Sequence, residues 1–144
     1  MAEITLGGNP IHTLGKLPAV GELAPDAVLT KNDLKRVSLK DFRGAKLVLN
    51  IFPSLNTSVC ATSVREFNKR AGALGNTKVL CISRDLPFAQ AQFCGAEGIE
   101  NAITLSDFAQ GEFGKNYHLE IIDGPFAALH SRAVIVVDEE GRIV

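Results

Sequence analysis

Short apolar runs alternate with helix-like repeats along this chain, and this alternation restricts the possible fold more than any other feature. Residues 47–52 are almost entirely apolar, as is typical of a strand covered on both faces. After Pro53, apolar residues recur at steps of three and four, as on one side of a helix: Val64, Phe67, Ala71 and Leu74. The sequence therefore predicts an α/β fold built from layers of strands and helices.

Other segments continue this alternation. Apolar runs predict strands at 79–82, 103–105 and 133–137, and helical patterns occupy 88–94, with Gly95 as the stop, and 112–117. Near the start, runs at 4–6 and 11–14 flank Gly7-Gly8-Asn9-Pro10 and predict a β-hairpin. Turn-forming residues between 18 and 26 predict an irregular surface segment.

Length and composition fit one domain. The chain has 144 residues, 46% of them hydrophobic, enough for one compact core and too few for two ordinary domains. Residues 1–144 are therefore predicted to form a single domain. Charged residues make up 22% and the net charge is -1, unlike the basic surface of a nucleic-acid-binding protein. No apolar stretch is long enough for a membrane span, so we expect a cytoplasmic protein.

The last residues predict an unfinished hairpin. Residues 138–141 have the composition of a turn, and residues 142–144 begin a returning strand. We therefore expect a chain that is truncated before its final strand is complete, or one with a disordered tail.

Three cysteines occur, at positions 60, 81 and 94. Their odd number and irregular spacing do not fit a disulfide scaffold. They form no C-x-x-C pair, which argues against structural zinc. Cys81 lies within an apolar strand and is predicted to be a core residue.

Cys60 follows a buried strand where a helix is predicted to begin, and sites favour this end of a parallel sheet. In the first turn of a helix, unpaired backbone N–H groups and the helix dipole favour a thiolate. Thr57 precedes Cys60 by three residues, so its hydroxyl can reach the sulfur or a bound oxygen. Thr57 could equally serve as a simple helix cap.

Pro53, Thr57 and Cys60 match the Pro-x-x-x-Thr-x-x-Cys signature of peroxiredoxins. The chain also resembles their bacterial thiol peroxidase branch, the atypical two-cysteine peroxiredoxins, in Phe93-Cys94-Gly95 and in residues 83–90. This resemblance covers nearly the whole chain. It implies a thioredoxin-like fold, a central mixed sheet flanked by helices with an N-terminal hairpin.

The resemblance also implies a reaction cycle and a set of residue roles. Cys60 would attack the hydroperoxide and become a sulfenic acid, and Cys94 would resolve it as an intramolecular disulfide. Arg132 corresponds to the arginine beside the reactive cysteine, and Pro53 would shape the pocket. Thioredoxin would recycle the disulfide without a cofactor or metal, organic hydroperoxides and hydrogen peroxide would be the substrates, and the enzyme would be a homodimer.

Two other functions are compatible with a cysteine at such a helix start. A thiol-disulfide oxidoreductase would have its second cysteine in C-x-x-C, where this chain has Thr57. A non-enzymatic redox sensor or holdase would signal through a Cys60–Cys94 disulfide by binding a protein partner. The three histidines, at 12, 118 and 130, show no spacing relation to Cys60 and are predicted to be surface or structural residues.

Overall fold

The fold is taken from a computed structural model, which describes residues 2–6, 8–56, 58–71 and 75–144. The strands are β1 (Ala2–Leu6), β2 (Asn9–Thr13), β3 (Val28–Thr30), β4 (Arg36–Ser38), β5 (Lys46–Ile51), β6 (Thr77–Ser83), β7 (Ala102–Ser106) and β8 (Ala133–Val137). The helices are α1 (Ser58–Ala71), α2 (Pro87–Glu97) and α3 (Glu112–Asn116), with a 3-10 helix at Leu39–Phe42.

Six strands form one mixed sheet in the order β4-β3-β7-β6-β5-β8. β5, β6 and β7 run parallel, whereas β8 and β3 pair antiparallel with β5 and β7. β1 and β2 form a separate antiparallel hairpin. The parallel strands thus end together at one edge, from which the chain continues into the loops before α1 and α2.

The two faces of the sheet support separate apolar clusters. Alternate residues of β5 and β6, such as Leu49 and Leu80, pack on one face with Phe113 and Tyr117 from the α3 region. On the other face, Val79 and Cys81 pack with α1. Because side chains alternate along each strand, both faces are buried and the strands read as continuous apolar runs.

The predicted fold class and N-terminal hairpin are confirmed. Three details were wrong or missed. Gly95 does not end α2, which continues to Glu97 and stops where Gly98 adopts φ of 64°, a left-handed conformation that glycine accepts without strain. The short strands β3 and β4 were not predicted. β2 begins at Asn9, within the residues that were predicted to form the hairpin turn.

Among the described residues, no helix is long and apolar enough to cross a membrane. Gly7 of the predicted hairpin turn and Leu74 of the predicted helical stripe lie outside the described residues.

Candidate active site

Cys60 lies at the start of α1, on the face that packs against the sheet. Its helix begins at Ser58, so Cys60 is in the first turn, where N–H groups lack partners within the helix. The residue is fully buried beside Phe52, Leu55 and Val64. α1 presents this face because Val64 and Ala71 follow Cys60 at helical spacing. The helix and the apolar core together fix the position of the sulfur.

Arg132 is the charged group next to this sulfur. Its Nη2 donates to Sγ of Cys60 at 3.1 Å. Arg132 is exposed and immediately precedes β8. The buried sulfur therefore contacts the guanidinium of an arginine that lies 72 residues away along the chain.

The other two members of the signature lie in the segment between β5 and α1. Pro53 is buried at the bend that follows Phe52. Thr57 lies outside the described residues, so its predicted contact with Cys60 stays a prediction.

Asp85 holds the loop before α1, although the sequence pattern predicted no role for this residue. The carboxylate of Asp85 accepts hydrogen bonds from Ser54 Oγ at 2.7 Å and from the Leu55 backbone N–H at 2.8 Å. Ser83 Oγ donates to the same carboxylate at 2.6 Å. Asp85 occurs within the segment 83–90 that carries the family resemblance, which was the only signal for it.

Cys94 lies in the second half of α2 and is partly buried. Its Sγ is 3.6 Å from the amide nitrogen of Asn32 and 3.4 Å from Thr104 Oγ1. Thr104 also donates to Asn32 Oδ1 at 2.9 Å. These three side chains border a surface pocket of about 270 Å³. Neither Asn32 nor Thr104 was identified from the sequence.

Cys60 and Cys94 are both free thiols with different hydrogen-bond partners. Sγ of Cys60 accepts from Arg132, whereas Sγ of Cys94 lies against Asn32 and Thr104. A disulfide would require both sulfurs to leave these contacts and their Cα atoms to lie within about 7 Å of one another.

Cys81 has the environment of a core residue. It is fully buried on β6, and burial raises the pKa of its thiol to about 12, opposed only in part by the hydrogen bond from Asn50. A thiol with such a pKa is a poor nucleophile near neutral pH.

The three histidines differ in setting. His12 Nδ1 lies 2.6 Å from a carboxylate oxygen of Asp123, and His118 Nδ1 lies 2.9 Å from the Lys16 carbonyl oxygen. His130, which precedes Arg132 by two residues, is fully buried and hydrogen-bonds to Asp107.

With this geometry in view, comparison with known proteins assigns the chain to a family. A family model described as Redoxin matches residues 19–144. The chain belongs to the redoxin family. This redoxin is 54% identical over 143 residues to proteins named thiol peroxidase from Mycobacterium bovis and Mycobacterium tuberculosis, covering 99% of this chain and 86% of each relative.

Solved structures give the same assignment. A peroxiredoxin-like protein from Aquifex aeolicus superposes on this redoxin with a TM-score of 0.92 at 33% identity, covering 98% of this chain and 82% of the other. A thiol peroxidase from Chromobacterium violaceum shares the fold, with a TM-score of 0.87 at 20% identity and the same coverage. The predicted membership of the peroxiredoxins and the predicted enzyme class, a thiol peroxidase, are confirmed.

Proposed function

We propose that this redoxin reduces organic hydroperoxides and hydrogen peroxide through a Cys60 sulfenic acid and an intramolecular Cys60–Cys94 disulfide that thioredoxin reduces. The observation that carries the proposal is the 3.1 Å hydrogen bond from Arg132 to the sulfur of Cys60. A guanidinium this close to the sulfur can also donate to the oxygens of a hydroperoxide that the sulfur attacks, which would stabilise the negative charge that grows there.

Thiolate formation alone does not account for a good peroxidase. A free cysteine is roughly 3% thiolate at pH 7, so complete ionisation increases its rate only about thirtyfold. The remainder must come from stabilisation of the negative charge that grows on the leaving oxygen when the O–O bond breaks. Arg132 can supply one such donor, and Thr57 and the backbone N–H of Cys60 are the other candidates.

Burial around the sulfur supports the same chemistry. Cys60 is fully buried, and Pro53 is buried in the segment leading to α1. Exclusion of water strengthens the interaction between the guanidinium and a developing oxyanion. Pro53 has no N–H donor and restricts the chain, so we assign it the role of shaping the pocket.

Cys94 completes the proposed cycle as the resolving cysteine. It attacks the sulfur of the sulfenic acid, the S–O bond breaks, and water leaves as the disulfide forms. Cys94 is partly exposed and borders an open pocket, whereas Cys81 is enclosed. Thioredoxin would then attack the disulfide through a mixed-disulfide intermediate. We further propose that the enzyme is a homodimer and acts in the cytoplasm.

The test is consumption of cumene hydroperoxide by the wild type and by the variants Cys60→Ser, Cys94→Ser and Cys81→Ser. Each is assayed once with thioredoxin and its reductase and once with dithiothreitol. We expect Cys60→Ser to lose turnover with both reductants. Cys94→Ser should fail with thioredoxin but turn over with dithiothreitol, and Cys81→Ser serves as the matched control with normal activity.

Two results would contradict the proposal. Turnover by Cys60→Ser would show that another group attacks the peroxide. Oxidation of the wild type for a single turnover, with no recycling by either reductant, would favour the redox sensor instead.

A further inference from the structure

Asp85 connects the segments that precede the two cysteine-bearing helices. Its carboxylate accepts from Ser54 Oγ and from the Leu55 N–H, which lie in the loop that leads into α1 and Cys60. Hydrogen bonds to a carboxylate are about twice as strong as those between neutral groups. The loop before Cys60 is therefore held to the end of β6 by two bonds to one charged residue.

The same carboxylate is joined to α2 through a buried side chain. Ser83 Oγ donates to Asp85 and accepts from Gln90 Nε2 at 3.1 Å, and Gln90 also donates to the Leu105 carbonyl at 2.9 Å. Gln90 is fully buried and lies one helical turn before Cys94 on α2. The network thus ties the loop before Cys60 and the first half of α2 to the same strand ends.

We infer that Asp85 is a positioning residue that holds the loop before Cys60 in its peroxide-reactive conformation and opposes the movement that brings Cys60 to Cys94. This inference rests on the proposed roles of the two cysteines. Since the thiols must approach one another, the bonds made by Asp85 stabilise the folded loop against the opened one. Their strength sets how often the loop opens.

The lifetime of the sulfenic acid depends on this opening. In the first step, the Cys60 thiolate attacks the hydroperoxide, an S–O bond forms, the O–O bond breaks, and the alkoxide takes up a proton to leave as alcohol. If Cys94 then arrives, an S–S bond forms and water leaves. If a second hydroperoxide arrives first, another S–O bond forms, a second alcohol leaves, and the sulfur becomes a sulfinic acid, which the disulfide cycle does not recover.

Removal of Asp85 should consequently change two rates in opposite directions. The first step should slow, because Cys60 and its oxyanion donors are less well positioned. Disulfide formation should become faster, because the loop opens more often. Loss of hydrogen bonds elsewhere in the fold should not accelerate the second step, so faster disulfide formation that is confined to the Asp85 variants assigns the effect to this loop.

The experiment is rapid mixing of the reduced protein with cumene hydroperoxide, followed by acid quench, alkylation and mass spectrometry of the thiol, sulfenic, disulfide and sulfinic forms. In Asp85→Ala we expect oxidation of Cys60 to slow about tenfold, which corresponds to about 1.4 kcal/mol. Disulfide formation should accelerate by a similar factor, and less sulfinic acid should accumulate at high peroxide. Asp85→Asn keeps the shape and weakens the charge-assisted bonds, so it should give intermediate values if Asp85→Ala fails to fold.

The matched control is Asp138→Asn, because Asp138 also accepts backbone N–H bonds, from Glu140 and Arg142, in a turn after β8. We expect its two rates to equal those of the wild type. Disulfide formation that is unchanged or slower in both Asp85 variants would overturn the inference. A wild type that forms no Cys60–Cys94 disulfide would instead overturn the proposed function itself, so the two failures are distinguishable.

Discussion

His130 Nε2 lies 2.8 Å from Asp107 Oδ2, and both side chains are fully buried. His130 precedes Arg132 by two residues. The Asp107 carboxylate also accepts the backbone N–H groups of Phe113 and Gly114, at 3.0 and 2.9 Å. The pair therefore joins the start of α3 to the segment that leads into Arg132. The position of Arg132 beside Cys60 thus depends on buried polar contacts outside the site.

Replacement of Asp107 by asparagine should strongly destabilise the fold. Both carboxylate oxygens accept from donors in the interior, so the NH₂ of the introduced amide would have to face another donor. We expect a loss of about 3–5 kcal/mol in the free energy of unfolding, measured by urea denaturation. Asp138→Asn is the control, since a single oxygen of Asp138 accepts both of its bonds and can go on doing so. Equal losses in the two variants would contradict a special contribution from the buried pair.

The sequence predicted most of the main sheet because its parallel strands are buried on both faces. Continuous apolar runs are a strong signal, and β5, β6 and β7 each carry one. β8 also carries one, although it is antiparallel and exposes Val134 and Val136. β3 and β4 were missed because each has only three residues, too few for a recognisable period. The end of α2 was misplaced because an exposed helical glycine and a stop glycine look alike in sequence.

The candidate site was only partly predictable. Local pattern identified Cys60 at the predicted start of a helix, and the family signature added Pro53. Arg132 lies 72 residues from Cys60, and only family resemblance singled it out. Asp85 and Asn32 were assigned no role because their contacts depend on which strand ends adjoin in the folded sheet, which local spacing does not encode.

Gly114→Ala should destabilise the same region through a steric clash. A Cβ at position 114 would lie 2.9 Å from both Cδ2 and Nε2 of the buried His130 ring, which cannot move away without breaking its bond to Asp107. We expect a loss of about 1–3 kcal/mol, measured by urea denaturation. The control is Gly95→Ala, where a Cβ meets nothing within 4 Å. That change should stabilise α2 by up to about 1 kcal/mol, and a loss at position 95 as large as that at 114 would contradict the steric explanation.

Substitution of Arg132 should separate reactivity from stability. In Arg132→Ala, the sulfur of Cys60 loses its cationic neighbour, and in the proposed mechanism the leaving oxygen loses a donor. We expect the second-order rate constant for Cys60 oxidation by cumene hydroperoxide to fall about 10²–10³-fold. Because Arg132 is exposed, its removal should change the free energy of unfolding by about 0.5 kcal/mol or less. Arg132→Lys keeps the positive charge but not the planar guanidinium, so its rate constant for Cys60 oxidation should lie between those of the wild type and Arg132→Ala.

Arg70→Ala is the control for Arg132 because it removes an exposed arginine from α1 itself. Its oxidation rate should match that of the wild type. If Arg70→Ala and Arg132→Ala slow the reaction equally, the effect would be one of net charge rather than of the contact with Cys60.

Cys81 should make the reduced protein sensitive to alkaline pH. Burial raises the pKa of its thiol to about 12 in the folded chain, whereas an unfolded cysteine titrates near about 8.5. The stability that comes from keeping the Cys81 thiol protonated is therefore fully present below about pH 8.5 and is lost as the pH rises toward 12. In Cys81→Ala, urea unfolding between pH 8 and 10.5 should show a smaller loss of stability than in the wild type, by about 2–3 kcal/mol at the upper limit.

Cys94→Ala tests whether this effect belongs to the buried thiol. Cys94 is only partly buried, so Cys94→Ala is the matched control that removes a thiol without opening a cavity in the core. Native-state alkylation gives a second measurement, because only thiolates react with iodoacetamide at an appreciable rate. At pH 8, Cys94 should be alkylated while Cys81 remains unmodified until urea unfolds the chain. Rapid alkylation of Cys81 in the folded protein, or identical alkaline slopes in Cys81→Ala and the wild type, would show that burial does not protect this thiol.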